Sequence, residues 1–138
     1  MSEENKALAR KFFRMLELGD SNMAEEIVAV DYYNHDAPDP NIGLDGVKAA
    51  VKAFKNAFPD AQVNIAYQVA EGDKVVNRYT WSGTHQGEFY GVPATGKQVS
   101  WSATATFRVA DGRIREAWLN TDRWGVMEQL GAIPIPGE

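Results

Sequence analysis

GTHQGEFYGVPATGK, residues 83–97, divides two strand-like runs and carries neither of their periodicities. Before it, in 74–82, Val75, Tyr79 and Trp81 fall on one face, and Asn77 shares that face. After it, in 98–109, Trp101, Ala103, Ala105, Phe107 and Val109 alternate with Ser102, Thr104, Thr106 and Arg108. A period of two is the mark of a strand with one buried face. Further out, Val63, Ile65, Tyr67 and Val69 alternate with Gln62, Asn64, Ala66 and Gln68, and Gly72-Asp73 marks a turn. On the other side Asp111-Gly112 is a hairpin signal. It leads to a last strand over about 114–121 and a short helix closed by Gly131.

The first half of the chain has the helical period instead. Leu8, Phe12, Met15 and Leu16 predict a helix over 3–18, stopped at Gly19. A second, short helix is expected over roughly 22–29, with Met23, Ile27 and Val30 on its apolar side. DYYNHDAPDPNIG, residues 31–43, is dense in turn formers. Leu44, Val47, Val51, Phe54 and Phe58 then predict a third helix over about 44–58, ended by Pro59. Helices first and antiparallel strands second make an α+β plan. Three helices laid on one face of a curved antiparallel sheet form a cone-shaped α+β barrel, whose apolar interior suits a small molecule. Phe54, Phe58, Tyr67, Tyr79, Trp81, Trp101 and Phe107 are expected to point inward. They either fill the core or line a cavity for a flat, apolar ligand.

Composition narrows the function. The 138 residues suit one domain with a real core, at 44% apolar and 24% charged residues. A net charge of −5, with no Lys/Arg cluster, argues against nucleic acid as a partner. The absence of cysteine removes disulfides, thiolate metal sites and a thiol nucleophile. The N-terminal MSEENKALARKFF has no continuous apolar stretch, so neither a signal peptide nor a membrane partner is expected, and the cytoplasm is the expected location. No nucleophile elbow, P-loop, dinucleotide fingerprint or zincin motif occurs. His35, Asp36 and Asp39 could be drawn as metal ligands, but HDAPDPN also has the composition of a turn, and no metal is expected. Chemistry must then come from acid/base groups and pocket shape.

Several short motifs occur together in a particular order: Tyr33-Asn34-His35-Asp36, Ala57-Phe58-Pro59-Asp60, Glu71-Gly72-Asp73-Lys74-Val75-Val76, the GTH-GEF-G-P-TGK block, and Asp111-Gly112-Arg113-Ile114. Glu116, Trp118, Asp122 and Gln129-Leu130-Gly131 complete the series. In this order and spacing the chain resembles the SnoaL-like polyketide cyclases, of the nuclear transport factor 2-like superfold. The resemblance implies a cofactor-independent enzyme. An aspartate on the last strand removes a proton between two carbonyls, and a histidine on the neighbouring strand helps hold the enolate. A carboxylate in a dry pocket gains basicity, and such a proton is already acidic. Carried over residue by residue, the base position falls at Leu119 and the histidine position at Ala105. Neither side chain can transfer a proton.

The register of the last hairpin decides which groups could replace them. With a three-residue loop, Val109 faces Arg113, and Ala103 and Ala105 stand opposite Leu119 and Ala117. With a two-residue Asp111-Gly112 turn, Ala105 pairs with Trp118 and Trp101 with Asp122, turning Trp118, Asn120 and Asp122 inward. The resemblance favours the first. His85, in phase with Tyr79 and Trp81, is expected at the pocket rim, either as an acid/base group or as a loop anchor. Asp122 is either a second acid/base group or the cap of the final helix. The substrate wall is assigned to His35, Phe54, Asn77, Tyr79, Trp81, Trp101, Trp118 and Leu119. Two of these carry structural alternatives: a stitch between helix and loop for His35, and an internally satisfied buried amide for Asn77.

These readings predict proton-transfer chemistry, cyclisation or isomerisation, on a hydrophobic, carbonyl-bearing, polyketide-like substrate. Two alternatives stand beside it: a non-catalytic small-molecule-binding or dimerisation module, and a hydroxylase-type relative without the cyclase base. The polar outer sheet face, with Ser102, Thr104, Thr106 and Arg108, is expected to pair two copies as a homodimer.

Overall fold

A computed structural model describes residues 2–37 and 42–133. The expectation for Asp39 falls outside these residues. The order of elements is α1 (Ser2–Leu18), a 3-10 turn (Ser21–Met23), α2 (Ala24–Ile27), β1 (Val28–Asn34), α3 (Gly43–Ala57), β2 (Gln62–Glu71), β3 (Lys74–Thr84), β4 (Gln98–Ala110), β5 (Arg113–Thr121) and α4 (Arg123–Leu130). The strands form one curved, open sheet in the order β1-β5-β4-β3-β2. Helices α1 and α3 cover its concave face, so the cone is completed by helices and not by strand closure.

The inner face follows the alternation of β3 and β4. Val75, Asn77, Tyr79 and Trp81 are buried on one strand, and Trp101, Ala103, Ala105 and Phe107 on its neighbour. Alanines at the centre leave room for the aromatic stripe of α1. Phe12 seats on Phe107 with ring centroids 4.9 Å apart, and Phe13 on Tyr79 at 4.4 Å. Each such buried side chain contributes about 1.5–3 kcal/mol. Helix α3 buries Val47 and Val51. Helix α4 ends at Gly131, whose φ of 76° lets the Ala132 amide reach the Met127 carbonyl at 2.9 Å.

Four local features differ from the sequence reading. First, Val28–Asn34 is a strand, where a helix end and turns were expected. It pairs parallel with β5, Tyr33 beside Glu116 and Asn34 beside Ala117, so the sheet is mixed and not wholly antiparallel. Val30, expected on an apolar helix side, is exposed.

Second, β2 carries a bulge. Ile65 pairs with Tyr79, but Tyr67 pairs with Arg78, so Ala66 is extra. Beyond it the faces exchange: Tyr67 and Val69 point to solvent, and Gln68 turns in. There the Gln68 amide donates to the Lys6 carbonyl at 3.0 Å and to Asn77 Oδ1 at 2.8 Å.

Third, the last hairpin combines the two expected registers. Asp111 and Gly112, at φ 53° and 72°, make a two-residue turn between Ala110 and Arg113. A bulge at Arg115 then shifts the pairing: Val109 faces Ile114, but Arg108 faces Glu116. Phe107 therefore stands opposite Ala117, Ala105 opposite Leu119 and Ala103 opposite Thr121. The turn is the two-residue one, while the buried face is that of the other register. Trp118, Asn120 and Asp122 do not turn inward.

Fourth, His85 is not at a rim. It is fully buried. No helix among the described residues is long and apolar enough to cross a membrane.

Candidate active site

Between α1, α3 and the sheet lies a cavity of about 510 Å³, a common size for a small-molecule pocket. Phe12, Phe13 and Leu16 of α1 form one wall, and Ala50, Ala53 and Phe54 of α3 another. Tyr79, Trp81 and Trp101 form the floor, with Leu119 and Thr121 beside them. The last side is closed by the 83–97 block, through Glu88, Phe89, Tyr90 and Gly91. Phe54 meets Trp81 edge-on at 4.8 Å and Trp101 at 6.3 Å, so the aromatic surface is fixed by mutual packing.

Polar groups in this lining are few. Burial, and then the neighbouring phenol of Tyr90, push the Tyr79 hydroxyl well above its ordinary pKa. It therefore stays a neutral donor. Among the described residues Glu88 is the only carboxylate in the lining, and it has no hydrogen bond or ion pair with any of them. A second hollow, of about 470 Å³, lies across the ends of β2, β3 and β4 and is lined by polar side chains such as Gln62, Ser82 and Gln98. Its carboxylate, Asp60, is committed. It accepts from the Thr84 amide and hydroxyl, both at 2.7 Å, and these bonds hold it below the usual carboxylate range. The aromatic cavity is the better candidate site.

The 83–97 block has a fixed base and a projecting tip. At the base, the His85 amide donates to the Lys97 carbonyl at 2.9 Å, and the Gly96 amide returns to the His85 carbonyl at 2.8 Å. The Gln86 amide reaches Ala57 at the end of α3. Gly87 packs so closely on the Asn56 carbonyl that any Cβ there would collide with backbone. At the tip, Phe89 and Val92 exchange backbone hydrogen bonds around a Tyr90-Gly91 turn. Tyr90 sits at φ 49°, in the left-handed region that costs a non-glycine residue about 1–2 kcal/mol. The Arg123 guanidinium lies 5.1 Å above its ring and donates to the Asp36 carbonyl at 3.1 Å.

Of the side chains assigned to the substrate wall, Phe54, Tyr79, Trp81, Trp101 and Leu119 line this cavity. The others lie elsewhere. Asn77 is buried outside the lining, accepting from Gln68 and donating to the Ala105 carbonyl at 3.1 Å. Its amide is satisfied internally. Trp118 is on the outer sheet face, because the Arg115 bulge puts it there, and His35 stacks on it at 4.5 Å with the rings 6° from parallel. His35 Nε2 also meets Glu116 at 2.8 Å. These two side chains form an outer-face cluster, not a pocket wall. Asp36 caps the same edge, its carboxylate accepting from the Leu119 amide at 2.7 Å.

Neither expected acid/base group lines the cavity. The Asp122 carboxylate is exposed and accepts from the Gly125 amide at 2.9 Å, the capping geometry of α4. His85 is held behind Phe58, ring to ring at 5.7 Å. The Thr95 amide donates to its Nδ1 at 3.2 Å, which makes Nδ1 an acceptor and places the proton on Nε2. Nε2 is buried without a partner among the described residues. Sequence reasoning passed over Glu88, although it is the only acidic residue in the 83–97 block.

An open α+β cone of helices on a curved sheet, with an aromatic-walled cavity between them, is the architecture of the nuclear transport factor 2-like fold. The chain belongs to the SnoaL-like polyketide cyclase family, which matches residues 6–130. It is 30% identical over 128 residues to aklanonic acid methyl ester cyclase DnrD of Streptomyces peucetius, covering 90% of this chain and 88% of that protein. Among solved structures, TsrD from Streptomyces laurentii superposes with a TM-score of 0.87 at 28% identity, over 95% of this chain and 97% of that one. AclR from Streptomyces galilaeus, a hydroxylase candidate, gives 0.85 at 29% identity, over 99% and 87%.

Proposed function

We propose that the protein is a cofactor-independent acid/base enzyme acting on a hydrophobic, carbonyl-bearing, ring-containing substrate, by cyclisation or isomerisation. The observation that carries this reading is the aromatic cavity, whose mostly apolar lining includes the neutral Tyr79 phenol and, at its loop side, Glu88. The relationship to DnrD supports the substrate class. Phe54, Trp81 and Trp101 would offer one aromatic surface for a planar ring system to rest on, with Leu119 and Phe13 excluding water from it. Excluding water strengthens the electrostatic interactions inside. Two copies would pair through the outer sheet face, where Tyr67 and Val69 are exposed; a dimer mass in light scattering at micromolar concentration is the expected result, and a monomer mass would contradict it.

The direct test is incubation of the purified protein with aklanonic acid methyl ester, without added cofactor. An isomeric, ring-closed product of unchanged mass is expected. Recovery of the bound compound unchanged would favour a non-catalytic binding module, a reading supported by the apolar pair Ala105 and Leu119 at the centre of the sheet. A product heavier by one oxygen atom would favour a hydroxylase.

A further inference from the structure

The cavity lacks a base on its strands. Ala105 faces Leu119, Ala103 faces Thr121, and Ala117 faces Phe107, so the β4–β5 wall offers no carboxylate or imidazole. Neither Asp122, the cap of α4, nor His85, whose Nδ1 is held by Thr95, lines the cavity. Among the described residues one carboxylate remains in the lining, on the tip of the 83–97 block.

We propose that Glu88 is the catalytic base of this cavity and that Tyr79 is the donor that holds the developing enolate. This rests on the acid/base reading of the site above. Three observations carry it. Glu88 and Tyr79 line the same cavity, one on the loop tip and one on the sheet floor. Glu88 has no hydrogen-bond or ion-pair partner among the described residues, unlike Asp60, Asp122 and Glu116, whose carboxylates are all engaged. The backbone of the tip is set by a left-handed Tyr90, a conformation that persists only where its surroundings hold it, here the Arg123 guanidinium and the Phe89–Val92 pair.

The step balances without a cofactor. Glu88 takes the proton from a carbon between two carbonyls. The C–H bond breaks, an O–H bond forms on the carboxylate, and the electron pair moves onto the enolate oxygen facing the Tyr79 hydroxyl. The enolate carbon then attacks a second carbonyl of the same molecule, forming a C–C bond. The oxygen left by that attack takes the proton back from neutral Glu88. A ligand seated on Phe54, Trp81 and Trp101 would cover Glu88 from water, and losing water strengthens a carboxylate as a base.

The test uses ethyl 3-(2-naphthyl)-3-oxopropanoate, a flat aromatic β-keto ester, in deuterated buffer. Binding is read by tryptophan fluorescence and loss of the proton between the carbonyls by NMR, after subtracting the rate in buffer. The wild type should bind and accelerate exchange. Glu88→Gln should bind within about threefold of wild type and lose on the order of 100-fold in the catalysed rate. Tyr79→Phe should lose on the order of tenfold or more. A Glu88→Gln variant that exchanges at the wild-type rate, or loses only binding, overturns the assignment and leaves the acid/base reading standing. A wild type that binds without accelerating exchange, or does not bind, contradicts that reading and takes the assignment with it.

Discussion

The two ends of the 83–97 block differ in what their polar groups do. At the base, His85 is buried with Nδ1 held by both Thr95 contacts and Nε2 without a partner among the described residues, and Gly87 lies against the backbone of α3. At the tip, a few residues on, Glu88 is exposed, has no partner among the described residues and borders an apolar cavity beside a strained Tyr90. A buried polar group that is bonded to its neighbours serves the fold. A carboxylate left free beside aromatic walls is available to a ligand. The difference separates the histidine that looks chemical in the sequence from the carboxylate that the geometry favours.

The largest expected effect falls on the tip. Glu88→Gln should lower turnover on the order of 100-fold while leaving the unfolding free energy within about 0.5 kcal/mol of wild type, since the side chain is exposed and has no partner among the described residues. At the base the pattern should reverse. His85→Ala removes a buried ring and orphans the Thr95 amide, and should destabilise by roughly 2–3 kcal/mol in urea. If His85→Ala folds normally and is inactive, the division between base and tip is wrong.

A smaller effect is expected at Tyr90. Replacing it with glycine relieves the left-handed strain but frees the unfolded chain, and these oppose each other at about 1 kcal/mol each. Stability should hold within about 0.5 kcal/mol, while substrate KM rises because the ring leaves the cavity wall. An unchanged KM would remove the tip from the site. The outer-face cluster should matter least. The hydrogen bond from His35 and then that from Arg108 hold the Glu116 carboxyl below its ordinary range. A depressed carboxyl contributes stability above its unfolded pKa and loses it as pH falls through the folded one. Glu116→Gln should therefore flatten the fall of Tm below about pH 4.5, by an amount typical of exposed ion pairs, roughly 0.2–1 kcal/mol. Turnover at neutral pH should not change.

Much of the fold was legible because β3 and β4 alternate without interruption, which put Tyr79, Trp81 and Trp101 on the inner face. The α1 and α3 stripes were equally plain. The bulges at Ala66 and Arg115 were not, because one inserted residue leaves no mark in composition yet exchanges the faces beyond it. Tyr67 and Trp118 were misplaced or left ambiguous for that reason. Strand β1 was hidden because Asp31 and Asn34 read as turn formers, and its parallel pairing with β5 depends on residues over eighty positions away. Glu88 was missed for a different reason. A loop has no period, so nothing in its spelling says which side chain turns toward a cavity.

The central claim is that the carboxylate serving this cavity comes from the loop and not from the last strand. The most direct measurement is a crystal structure with ethyl 3-(2-naphthyl)-3-oxopropanoate bound. The expected result places the carbon between its carbonyls about 3–3.5 Å from a Glu88 carboxylate oxygen, with a carbonyl oxygen facing Tyr79. A ligand whose reactive carbon rests on Leu119, with Glu88 turned to solvent, would contradict it.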